Sequence, residues 1–161
     1  MTSWALSWRK KQAVDAICKL KKRAPPCFLF NLVAAWCNGW ATADRFQSYA
    51  RCCLHAQCQR EDSLLHYLAC SFHLPLLGHR TRLSYERYAS TDLLCLGSQD
   101  ENTLVLLAIH LYAINRAATY GRYNGACTDN TQLENLLWGF HKVAAAQSRS
   151  VRKLYRSIWC G

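Results

Sequence analysis

The sequence predicts a mostly α chain: a small helical domain in which an irregular loop packs on a short helix. Apolar residues recur at three- and four-residue steps over long stretches, period-two alternation is nearly absent, and glycine and proline are scarce. With 161 residues, about half of them hydrophobic, the chain can bury one real core, so one domain is the default. Within it we distinguish residues 1–26 as a basic helix and Pro linker, 27–80 as a helix plus a cysteine-rich loop, and 81–161 as a C-terminal helical region.

Residues 4–22 carry no internal breaker and predict a helix that ends before Ala24-Pro25-Pro26. Cys27–Trp36 is almost continuously apolar and predicts a buried helix, broken at Asn38-Gly39 because glycine supplies the left-handed cap. Thr42 is a candidate N-cap for a short helix through Gln47. Residues 61–70 predict a helix capped by Asp62 or Ser63, and 71–79 an exit turn. In 102–120 the residues Leu104, Leu107, Ala108, Leu111, Asn115 and Ala118 form one face, and Tyr120–Gly125 reads as a loop. Asp129–Ala146 predicts a helix capped by Asp129 or Asn130, with Leu133, Leu136, Leu137, Phe140 and Val143 as its stripe. Residues 148–159 predict a short basic helix.

The charge is +10, distributed as +6 over residues 1–40, zero over 41–100 and +4 over 101–161. A bias of this size points to a polyanionic partner, nucleic acid or an anionic membrane surface. The N-terminus lacks an apolar segment ahead of its charges and a small-residue cleavage site, and the longest apolar runs fall short of a membrane span. We therefore expect no transmembrane segment, an intracellular location with the nucleus favoured over cytoplasm or mitochondrion, and cysteines held as thiols or metal ligands.

Four of the ten cysteines and two of the six histidines fall in RCCLHAQCQREDSLLHYLAC, residues 51–70. A metal site, structural thiols and a redox pair are the chemistries to weigh. Zinc takes four thiolate or imidazole ligands, often a short-loop pair and a second pair on a helix or turn. His66 and Cys70, four apart, share one helical face, and Cys53 and Cys58 bracket a loop that can fold back on them as a zinc knuckle. The ligand set Cys53, Cys58, His66 and Cys70 reads C-x4-C-x7-H-x3-C, with Cys52 and His55 as alternates. A catalytic Cys–His pair lacks an orienting acid at a recognisable spacing, and the chain holds no Gly-rich phosphate loop or paired-carboxylate motif. His110, on an apolar helix face, reads as a packed core histidine; Cys18, Cys27, Cys37, Cys95 and Cys127 read as small hydrophobes.

Two stretches, Asn38-Gly-Trp-Ala-Thr-Ala-Asp-Arg-Phe-Gln47 and Glu61-Asp-Ser-Leu-Leu-His-Tyr-Leu-Ala-Cys70, resemble the zinc-binding tail that follows the polymerase domain in reverse transcriptases of non-LTR retrotransposons. The run LVLLAIHLYAINRAA at 104–118 is similar to the helix that often follows the cysteines there. The resemblance covers about residues 36–77 and extends weakly to about 120. It implies that Cys53, Cys58, His66 and Cys70 carry the ligand roles. The family's first pair is more often two or three residues apart, and its proline after the last cysteine is Ser71 here. The YxDD-type polymerase motif is absent from this chain.

The expectation is a non-catalytic, zinc-stabilised module that binds RNA or DNA through phosphates, with a separate reverse transcriptase or retroelement protein as a possible partner. Its contacts are expected at Arg45, Arg51 and Arg60 beside the loop, then at Lys10, Lys11, Lys21, Lys22 and Arg23, and at Arg152, Lys153 and Arg156. Trp40, Phe46 and Tyr67 are candidates to stack on bases, with core packing as their alternative. The rival expectations are an all-α interaction or scaffold domain without metal, and a peripheral membrane protein using helix 4–22 with Trp4 and Trp8.

Overall fold

The computed structural model describes residues 10–47, 50–76, 93–97 and 100–159, with backbone alone at 155, 158 and 159. Trp4, Trp8, His79 and Cys160, and the end of the expected exit turn, lie outside the described residues. The described chain is mostly helical, as expected. Its helices are α1 (Lys10–Lys21), α2 (Pro26–Trp36), the single turn α3 (Leu64–Tyr67), α4 (Glu101–Asn124), α5 (Asn130–Ala146) and α6 (Arg149–Trp159).

Helix α4 is the axis: α1, α2 and α5 pack against it, and α6 packs against α5. Nearly every residue from Leu104 to Ile114 on α4 is buried, because neighbours cover more than one face. Asp100 caps its first turn by accepting from the Asn102 and Thr103 amides. Helix α1 presents Ala13, Ala16 and Leu20 to the core and ends at Lys21, shortly before Pro25 and Pro26, which cannot continue it. Pro26 then opens α2 at a position where its missing N–H costs nothing. Asp129 caps α5, one of the two expected caps, by accepting from the Gln132 amide. A single cluster of buried side chains runs from Ala13 to Val151.

Several expectations change. Helix α2 is not buried all round: Phe30 is 75% exposed, and only the face of Phe28, Asn31, Leu32, Ala35 and Trp36 is covered. At its end Asn38, not glycine, takes the left-handed conformation (φ 51°), while the Gly39 amide closes the cap on the Ala34 carbonyl. Residues 43–47 form a turn rather than a helix, although the Thr42 hydroxyl does accept from the Arg45 amide. On α5 Val143 is exposed, and His141, Ala144 and Ala145 continue the buried face of Leu133 and Leu137.

The expected loop at 120–125 is helical to Asn124, and Gly121 explains the difference. A methyl group there would lie 1.9 Å from the Cys53 carbonyl oxygen, so this glycine is the place where another backbone crosses α4. Gly125, at φ 87°, is the residue that ends the helix. Gly121→Ala is expected to destabilise the fold by about 2 kcal/mol, since backbone must shift to admit the methyl. Gly139→Ala, on an exposed part of α5 with nothing within 4 Å of its new methyl, is expected to stabilise by about 1 kcal/mol. Urea unfolding of the two variants checks the contrast.

Candidate metal centre

The cysteine-rich stretch is a small hairpin. Arg51 pairs antiparallel with Glu61, the Cys52 amide donates to the Arg60 carbonyl, and the Asp62 amide donates to the Ala50 carbonyl. Its tip docks on the start of the α4–α5 connection: Cys127 and Leu54 are joined by one hydrogen bond, and Ala56 donates back to the Cys127 carbonyl. Ser63 then caps α3 by accepting from the His66 amide. The expected helix over 61–70 shrinks to four residues, and Cys70 follows it in a turn.

This arrangement brings together Cys52, Cys58, His66 and Cys70, whose ligand atoms all lie within 4.8 Å of one another. Cys58 Sγ and His66 Nε2 are 3.2 Å apart. The three cysteines are buried and His66 is half-buried. Tetrahedral zinc, with Zn–S about 2.3 Å and Zn–N about 2.0 Å, spaces its ligand atoms roughly 3.5–3.8 Å apart. The four side chains match a metal site in number and type, and lie close enough together to hold an ion.

Their electrostatics favour one thiolate as a starting point. The Cys70 thiol is held well below its ordinary range, chiefly by the hydrogen bond from the Cys52 thiol and then, against burial, by His66 and the nearby His73. Cys52 is pushed up in return, by that same hydrogen bond and by burial. Burial also raises Cys58. A cation among these sulfurs would favour the thiolate at each.

Cys53, expected as the first ligand, is outside the group, and Cys52 takes its place. The Cys53 backbone is pressed on Gly121 of α4, its amide donates to the Tyr67 hydroxyl, and its thiol is directed to the Arg51 carbonyl. The ligand pattern becomes C-x5-C-x7-H-x3-C. His55, the other alternate, stacks on Phe72 with ring centroids 4.2 Å apart and is not among the four.

Behind the hairpin sits a polar hub absent from the sequence reading. Buried Asp62 accepts from the Tyr67 hydroxyl at 2.5 Å, from Arg122 Nε and Nη2 at 3.3 and 3.1 Å, and from the Ala43 amide at 3.0 Å. It thereby ties α3, α4 and the 43–47 turn to the hairpin. Sequence could place Asp62 only as a candidate helix cap, because Arg122 lies 60 residues away and reads there as part of a loop. Asp62→Asn keeps the shape but removes the charge opposite a half-buried guanidinium, and is expected to cost about 2 kcal/mol in urea unfolding.

The expected stacking residues divide. Trp40 and Tyr67 are core residues, their rings 6.5 Å apart, whereas Phe46 is 62% exposed beneath the Arg45 guanidinium. Arg45, Arg51 and Arg60 are exposed around the hairpin, and Arg45 also donates to the Gly39 carbonyl. Lys10 and Lys11 open α1, Lys21 and Lys22 end it, and Arg152, Lys153 and Arg156 lie along α6; all seven are exposed. His110 is buried as expected, but so are His73 and His141, whose rings flank it at 5.5 and 5.8 Å. Of the cysteines expected as small hydrophobes, Cys95 is buried, while Cys18 and Cys37 are exposed.

Fold and site together define an all-α domain whose hairpin and short helix assemble a cysteine–histidine cluster able to hold a metal ion. No family model, no curated protein and no solved structure matches this chain.

Proposed function

We propose that this chain is a zinc-stabilised domain that binds nucleic acid without catalysing a reaction. The observation that carries the reading is the closed character of the cluster. Three sulfurs and one imidazole supply four ligands, the number a structural zinc site uses, whereas catalytic zinc keeps a position open for water or substrate. Hairpin, α3 and the turn to Cys70 would each contribute at least one ligand, so the ion would hold together a region with little regular structure. The charge of +10 supports nucleic acid as the partner, bound mainly through phosphates.

The resemblance to reverse-transcriptase tails is compatible with the Cys/His type and order of the cluster once Cys52 replaces Cys53. A separate polymerase or other retroelement protein is the partner this reading implies, and an intracellular, preferably nuclear, location suits both the thiols and the ligand. The exposed Phe30 on α2, with Val33 one turn away, favours a second reading as a protein-interaction domain. For membrane association, no helix among the described residues is long and apolar enough to cross a bilayer.

Metal analysis of protein purified without added metal is expected to find about one zinc per chain, and Cys70→Ser to remove it. Zinc near zero, with Cys70→Ser as stable as the wild type, would sink the metal half. Titration of single-stranded RNA and DNA at low and high salt tests the other half, and salt-insensitive or absent binding would refute it.

A further inference from the structure

The sequence places basic residues in three separate stretches, and the fold joins two of them. The Arg23 carbonyl accepts from the Ser150 hydroxyl at 2.9 Å and the Ser148 hydroxyl at 3.4 Å. The end of α1 is thus stitched to the start of α6 across more than 120 residues of chain. Arg23, which follows Lys21 and Lys22, is thereby held at the start of α6, the helix that carries Arg149, Arg152 and Lys153, with Arg156 one turn further along. Acidic groups bear on two members of the neighbourhood: Asp15 on Lys19 at 2.7 Å, and Glu101 on Arg23 at 3.5 Å. Lys21, Lys22, Arg149, Arg152, Lys153 and Arg156 are all exposed, and the ion pairs of the described residues take up none of them, although Arg152 also donates to the Ala146 carbonyl at 2.8 Å.

The metal loop presents a different surface. Its arginines, Arg45, Arg51 and Arg60, are interleaved with exposed Asp44 and Glu61, leaving a local excess near one charge. Arg45 is also held on its own chain by the Gly39 carbonyl and the Phe46 ring. The two regions lie at opposite ends of α4. Arg23 touches Glu101 and Asn102 at its start, whereas the hairpin and Asp62 touch Gly121 and Arg122 near its finish. Twenty residues of helix separate them by roughly 30 Å.

We propose that the α1–α6 seam, and not the metal loop, is the phosphate-binding surface, and that its ligand is single-stranded nucleic acid. This rests on the nucleic-acid reading above and assigns that reading a place. A membrane surface is the lesser fit. Among the described side chains of these helices, Ala13, Ala16 and Leu20 of α1 and Val151 of α6 are buried and Leu154 packs on the core, leaving Val14 of α1 exposed. Insertion needs an apolar face free to enter lipid. Phosphate contact needs only the charged face.

The test compares three proteins for binding of labelled oligouridylate and oligothymidylate at about 50 and about 200 mM salt. They are the wild type, Lys21→Gln/Lys22→Gln/Arg152→Gln/Lys153→Gln at the seam, and Arg51→Gln/Arg60→Gln at the loop. Circular dichroism and thermal midpoint confirm that each variant is folded, as expected for exposed positions. The seam variant is expected to lose affinity on the order of 100-fold or more and to flatten the slope of log K against log salt by about 3. The loop variant is expected to change affinity by less than about 3-fold, because its arginines sit in a near-neutral field. A seam variant that binds like the wild type, or a loop variant that loses binding instead, overturns this proposal and leaves the nucleic-acid reading standing. A wild type that binds neither oligonucleotide overturns both. Flotation with phosphatidylserine vesicles that retain the wild type, together with absent oligonucleotide binding, identifies the surface as membrane-directed and likewise overturns the proposal.

Discussion

Cys52→Ser is expected to lower bound zinc from about one equivalent to a small fraction, while Cys53→Ser leaves it in place. The two residues are neighbours with the same chemistry, so the contrast isolates geometry. Cys52 lies within 4.8 Å of three other ligand atoms and is buried among them; the Cys53 thiol is aimed at the Arg51 carbonyl. Burial, with the Asp62 charge, raises the Cys53 thiol, which opposes the thiolate a metal requires. A serine hydroxyl at 52 fills the space but gives zinc a hard, protonated oxygen in place of sulfur. Structural zinc contributes about 10–16 kcal/mol in small modules, so a lost ligand should cost on the order of 3 kcal/mol or more here. For a chain of this size that is a fall in Tm of roughly 6–12 °C. The four ligands lie on the hairpin, α3 and the turn after it and none is on α1, α2, α4 or α5, so far-UV circular dichroism should keep most of its helical signal even when zinc is lost. The reverse pattern, with Cys53→Ser losing zinc and Cys52→Ser retaining it, would show that the hairpin faces the other way.

The sequence favoured Cys53 with Cys52 as its alternate, whereas the fold places Cys52 in the cluster. Cys52 and Cys53 make equally workable loops with Cys58, and spacing carries no information about which side of a strand faces a metal. That choice is made by Gly121, where the crossing backbone at Cys53 presses on α4. In sequence Gly121 sits in Tyr-Gly-Arg-Tyr-Asn-Gly and reads as a loop breaker. The same misreading hid Arg122, the partner of Asp62. By contrast α1 and α5 were legible because local signals determine them: a proline stop for the first, an aspartate cap and an apolar repeat for the second. His66 and Cys58 were legible for a related reason, since capped turn and short loop fix them locally. Long-range crossings were not legible, and the seam between Arg23 and Ser150 belongs to the same class.

Lowering the pH from about 7 to about 5 is expected to remove about 4 kcal/mol of stability through His110 and His141 together. Both are buried where α4 meets α5, with ring centroids 5.8 Å apart; Trp138 lies beside His141, and His73 approaches His110 from the turn after Cys70. Burial holds His141 down to about 4 and His110 well below its ordinary value, the latter aided by its histidine neighbours. The unfolded chain, with histidines near 6.5, takes up protons first as the pH falls. These groups therefore contribute stability in full above about 6.5 and lose it progressively below, toward about 4 for His141. Between pH 7 and 5 each neutral-locked histidine loses about 2 kcal/mol relative to an unfolded chain titrating near 6.5. His141→Leu should remove about half of the acid loss, and His110→Leu/His141→Leu nearly all of this component. Urea midpoints at the two pH values measure it, and subtracting the double variant's own acid loss cancels metal release, which both proteins share. Equal acid losses in the wild type and the double variant would show that neither histidine is held neutral by the fold. The prediction separates two roles for histidine in one small domain. His66 is half-buried beside sulfur, where an imidazole can bind a cation, whereas His110 and His141 are sealed between helices, where a positive charge opposes folding.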